Sequence, residues 1–134
     1  MAVENAGQVI SLKAVESLAD DQYRIVVLAA GPTVGRPNAS TDIPFGVLQN
    51  APASGEAAVV MVSGVSKIVF GETVAIGESV KLEYNSATDA GKGLDADTAN
   101  DNALGICITG GAEDELGEML ITGNAEVNVA AEVT

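Results

Sequence analysis

A chain of 134 residues has the length of one ordinary domain. With 47% hydrophobic residues but only two Phe, two Tyr and no Trp, its core has to be built from Val, Ile, Leu and Ala, a composition that favours sheet. Nineteen Asp and Glu stand against six Lys and Arg, with no His. The net charge of −13 therefore speaks against nucleic acid as a partner, and the lack of His against His-based catalysis. The opening MAVENAGQVI has no basic and apolar leader, and runs such as 25–30 fall far short of the ~20 apolar residues of a membrane helix. The expectation is a soluble chain made in the cytoplasm, with no membrane partner.

In chain order, turn residues recur roughly every eight to twelve positions, the spacing of a sandwich or barrel. Strands are predicted over 8–15, 23–29, 43–49, 57–63, 66–70, 79–84, 103–109, 117–122 and 125–133. A short helix competes over 11–20, where Leu12, Val15 and Leu18 recur at i, i+3. The Gly-, Pro- and Asn-rich segment 31–44 and the acidic segment 88–102 are predicted as long exposed loops, which in a small domain are often functional. The fold class expected is mainly β, a single antiparallel sandwich or barrel with long loops and flexible terminal arms. Its parts are an arm and first strand (1–15), a β-rich domain (16–123) and a terminal strand or tail (124–134).

Two internal echoes stand out. Residues 44–64 (PFGVLQNAPASGEAAVVMVSG) and 103–123 (ALGICITGGAEDELGEMLITG) share a plan of Gly, apolar run, turn and closing apolar strand, and read as related hairpins. GETVAI at 71–76 is followed directly by GESVKL at 77–82. Two copies are too few for a solenoid, so this pair reads as successive strands or turns.

Chemistry is sparse. No Ser occupies a nucleophile elbow, and AGKGL at 90–94 lacks the flanking residues of a phosphate loop. Asp95, Asp97 and Asp101 could offer oxygen ligands to Ca²⁺. Ala99, Asn100 and Ile106, however, stand where such a loop needs a ligand, a Gly and a bidentate Glu. Cys107, the single cysteine, lies in an apolar run as a small hydrophobe, and Asn38-Ala39-Ser40 matches a glycosylation acceptor with no secretory leader to make it meaningful. The reading is not an enzyme, with no cofactor and no metal.

The step Gln22-Tyr23-Arg24, the phrase IPFGVLQNAPASGEAAVVMVSGVSKIVFGETVAIGESV (43–80) and the closing LGICITGGAEDELGEMLITG (104–123) resemble the capsid cement, or head decoration, proteins of tailed bacteriophages. Gly46 to Asn50, Gly55-Glu56, Gly64 to Lys67 and Gly77 to Val80 match that family's pattern in order. The segments 31–42 and around Asp95 depart from it. The resemblance implies a β-rich virion protein on the outer surface of the capsid that stabilises the head by bridging major capsid protein subunits. It also implies self-association, often as a homotrimer at three-fold positions. The alternative is another head accessory, binding host or glycan.

The termini are the expected contact segments. In 125–133, Ala125, Val127, Val129, Ala131 and Val133 alternate with Glu126, Asn128, Ala130 and Glu132, giving one apolar face. Val3, Val9, Ile10 and Leu12 in the first segment, with Val127, Val129 and Val133 in the last, are the predicted capsid or subunit contacts. The N-terminal arm is expected to add to a capsid strand, although each terminal segment could equally complete the domain's own sheet.

Overall fold

The computed structural model describes residues 7–98 and 101–126. These residues form ten strands: β1 (Val9–Ala14), β2 (Ile25–Ala29), β3 (Thr33–Gly35), β4 (Gly46–Leu48), β5 (Ala57–Met61), β6 (Gly64–Val69), β7 (Ser79–Leu82), β8 (Gly93–Asp95), β9 (Asn102–Cys107) and β10 (Leu116–Glu126). No helix occurs among the described residues, so the mainly β reading holds. The first five strands close a barrel in the order β1-β3-β2-β4-β5, and the last five form a sheet in the order β6-β10-β9-β7-β8.

The two sheets are one design used twice. Listing the barrel from β1 in the other direction gives β1-β5-β4-β2-β3, which becomes the order of the second sheet when β6 to β10 replace β1 to β5 in turn. Registers agree as well. The pair Val47↔Met61, moved on by 59 residues, is Ile106↔Leu120, and Val26↔Gly46 has its counterpart in Val80↔Gly105. The barrel closes through parallel pairing of β1 with β3 at Ala14↔Val34, and the second sheet carries a parallel bridge at the matching place, Phe70↔Gly93.

The hairpin turns repeat too. The Ala53 amide donates to Glu56 Oε1 at 2.8 Å, as the Ala112 amide does to Glu115 Oε1 at 2.9 Å. Gly55 (φ 84°) matches Asp114 (φ 66°), Gly64 (φ 101°) matches Gly123 (φ 95°), and Tyr23 (φ 64°) matches Gly77 (φ 87°). The last pair places equivalent bonds, from the Tyr23 amide to the Leu48 carbonyl at 2.7 Å and from the Gly77 amide to the Cys107 carbonyl at 2.8 Å. The hairpins predicted from 44–64 and 103–123 are therefore the legible part of a duplication that covers both sheets.

Alternation along the strands divides the apolar residues between two cores. Ala14, Leu18, Val26, Val34, Leu48, Ala58 and Val60 fill the first barrel. Ile68, Phe70, Val74, Val80, Leu82, Leu104, Cys107, Met119 and Ile121 form the second core, joined by Ile25, Val47 and Met61 from the outer wall of the first barrel. The halves are thus held together by apolar side chains of β2, β4 and β5 that the barrel does not use internally.

Several predicted boundaries move. The segment 11–20 is strand only to Ala14. The chain then turns and carries Leu18 into the first core, so its i, i+3 spacing reflects two separate insertions and not a helix face. The segments 31–44 and 88–102 each contain a three-residue strand, β3 and β8, which pairs antiparallel with the strand before it, β2 or β7. The segment 43–49 is strand only at Gly46–Leu48. The predicted strand 117–122 runs on through Glu126 in β10, whose register shifts between Ile121 and Ala125, while 127–133 of the predicted strand 125–133 lies outside the described residues.

Candidate functional site

A groove of about 820 Å³ lies between the outer end of β2 and the segment 36–45. Its apolar wall includes Val15, Leu28 and Ile43, which are 50%, 54% and 63% exposed, with Phe45 behind them. The segment is fastened from several sides. Arg36 donates from Nε to Asp21 Oδ2 (3.0 Å), from Nη1 to Glu16 Oε1 (3.2 Å) and from Nη2 to the Ser17 carbonyl (2.8 Å). Asp42 Oδ2 accepts the amides of Asn38 and Ala39, and Asn102 Nδ2 donates to the Thr41 carbonyl. Burial raises the Asp21 pKa, and the adjoining Arg36 offsets this only in part. With its donors engaged in this way, Arg36 is a fastener, and the groove offers apolar contact more than a charge for a small anion.

A second surface is the outer face of the second sheet. Directly paired residues share a face, so Val69 with Leu116, Lys67 with Glu118, and Val65, Leu120, Ile106 and Ser79 in a row all point outward. Leu116, Leu120, Ile106 and Ile108 are 40–56% exposed there. Clustered exposed apolar residues of this kind mark contact surfaces more often than they occur idly.

Of the predicted contacts, Val9, Ile10 and Leu12 lie on β1. There Ile10 and Leu12 are half-buried, Leu12 packing on the first core, while Val9 is exposed. β1 pairs with β5 from Val9 to Lys13, but with β3 only at Lys13 and Ala14. The edge of Val9–Leu12 that faces away from β5 therefore has no strand beside it among the described residues. Val3, Val127, Val129 and Val133 lie outside the described residues. Period-two reading located the terminal segments but not the groove, or the outer face of β9 and β10, whose exposure depends on what the other half covers.

The acidic segment does not assemble as a cation cage. Asp101 Oδ2 takes Lys81 Nζ at 3.0 Å and the Thr98 amide at 3.1 Å, and Asp97 Oδ1 accepts the Thr98 hydroxyl. Among the described residues, no three His, Cys, Asp or Glu converge suitably for a metal. Two carboxylate oxygens, Glu83 Oε1 and Asp95 Oδ1, are buried without a hydrogen-bond partner. Burial pushes both pKa values up, helped by Asp89 beside Glu83 and by Glu78 beside Asp95. Cys107 is buried, its Sγ accepting the Gly110 amide at 3.1 Å.

No family model and no curated protein matches the sequence. The fold is similar to the N base of head fiber gp8.5 of bacteriophage phi29, with a TM-score of 0.62 and 16% identity over 89% of this chain and 98% of that one. At that identity the likeness is one of fold.

Proposed function

We propose that the protein is a structural component of a tailed-bacteriophage head, bound to the outside of the assembled capsid, where it stabilises the shell by bridging neighbouring major capsid protein subunits. The observation that carries this reading is the fold shared with a head fiber base over nearly the whole of both chains. The role is mechanical, not catalytic. Separating two capsid subunits would also require breaking the contacts of a clamp attached to both, and modest contacts repeated over a head add through multivalency.

The open edge of β1 supports strand addition as the mode of attachment. In the antiparallel pairing with β5, the amides and carbonyls of Val9 and Ser11 face away from the partner, as an added strand requires. Residues 1–8 and 127–134 are further candidates for contact, and a homotrimer at three-fold positions is the assembly proposed on the head.

Sedimenting purified protein with undecorated heads tests the reading. The protein is expected to pellet with the heads and to raise the temperature at which they release DNA. Protein left in the supernatant at saturating concentration would end it. Binding without any gain in head stability would favour the second reading, an accessory base like that of a head fiber, which the fold likeness also suits.

A further inference from the structure

The two halves differ in what covers them. In the second half, Ile68, Leu82, Leu104 and Ile121 are at most 3% exposed, in one cluster with Ile25, Val47 and Met61 from the wall of the first. The equivalent positions in the first half are Leu12, Leu28, Phe45 and Val62. Among the described residues no comparable cover lies on them: Leu12, Phe45 and Val62 are only partly buried, and Leu28, 54% exposed, faces the groove beside Phe45. The covering residues have unequal counterparts too. Val47 and Met61 correspond to Ile106 and Leu120, which are 41% and 40% exposed on the wall of the second half. The described residues of one chain therefore carry one completed junction and both unpaired halves of a second.

We propose that a second copy of this chain completes that junction: the β9–β10 wall of one copy, led by Ile106 and Leu120, seats on the Leu28–Phe45 groove of the next. Charge does not oppose this pairing. On the wall β6 and β7 direct Lys67 and Lys81 outward, balanced by Glu118 and by Asp101, which Lys81 holds, and the groove adds Glu16 and Asp42 against Arg36. For a chain of net charge −13, most other pairings would bring carboxylates together.

The intermolecular junction is more polar than the internal one, because Ser79 and Lys81 occupy the positions of Ile25 and Val27. Val65, Ile108 and Leu116 add apolar area around it. The association is accordingly reversible. Because groove and wall are different surfaces, the contact is head-to-tail and closes into a ring when the rotation permits. The inference stands on the two halves of the chain and does not depend on attachment to a capsid.

The test is the mass of the full chain in solution at up to about 0.5 mM, a concentration at which even weak association is visible. Wild type is expected at two or more times the 13.4 kDa of one chain, and Leu28→Glu and Leu120→Glu each at 13.4 kDa, with unchanged far-UV circular dichroism. The decisive arm mixes these two variants. The groove of the Leu120→Glu chain and the wall of the Leu28→Glu chain are both intact, so 1:1 pairs should form that cannot grow. Should either Glu variant misfold, the Ser variant at the same position replaces it. Wild type monomeric throughout, either variant keeping the wild-type mass, or a mixture that stays monomeric would each overturn the proposal. Wild type that assembles in this way yet fails to bind heads would remove the capsid reading and leave this one standing.

Discussion

At the scale of single residues, the duplication is sustained by compensating volumes. Ala14 and Ala58 meet in the first barrel, and the equivalent positions in the second half are Phe70 and Gly117. The ring occupies the space that two methyl groups leave elsewhere, and a Cβ on Gly117 would collide with it. Gly46 and Gly105 obey a different constraint, each pressed against the carbonyl of the strand opposite, that of Met61 or Leu120. Gly117→Ala should cost about 1–3 kcal/mol, because the added methyl overlaps the buried Phe70 ring. Urea unfolding measures this, and a stability equal to wild type would mean that the ring shifts freely.

At the scale of elements, β1 is the strand with unequal edges. One side is fully paired with β5, and the other meets β3 only at its end. The Ser11 amide faces the open side, so Ser11→Pro removes a donor needed for strand addition while leaving the β5 pairing in place. If the capsid contact uses this edge, the variant should fold, with a small loss in Tm, and bind undecorated heads at least about tenfold more weakly, a change of roughly 1.4 kcal/mol. Wild-type affinity for heads would move the attachment site to the groove, the outer face or the terminal segments.

For the whole molecule, acidity sets how stability responds to pH. Burial raises the pKa of Asp21, Glu83 and Asp95, so the folded chain holds protons that the unfolded chain has released. A raised carboxyl contributes stability that is fully present below its unfolded pKa, about 4, and is lost as pH rises through the folded value. Tm is therefore expected to be higher near about pH 5 than near about pH 8, and relief of the −13 net charge acts in the same direction. Glu83→Gln should stabilise the protein at the higher pH by on the order of 1 kcal/mol, since its unpartnered oxygen no longer carries charge, and should flatten the pH profile. Thermal unfolding at the two pH values checks both, and a Tm that falls on acidification over this range would contradict the assignment.

The sequence by itself determined the all-β class, the position of most strands and the kinship of 44–64 with 103–123, because β-branched runs between turn residues and a repeated Gly framework are local signals. β3 and β8 were hidden, since three residues are too few to show a period and both lie in stretches rich in turn residues. The full duplication was hidden as well. It resides in register and in backbone angles, where Tyr23 does the work of Gly77 and Asp114 that of Gly55, and side-chain identity has drifted. Alternation presents Val47 and Met61 much as it presents Ile106 and Leu120, as one apolar face of a hairpin. Which face is buried depended on where the other half of the chain came to rest, and a one-dimensional pattern carries no information about that.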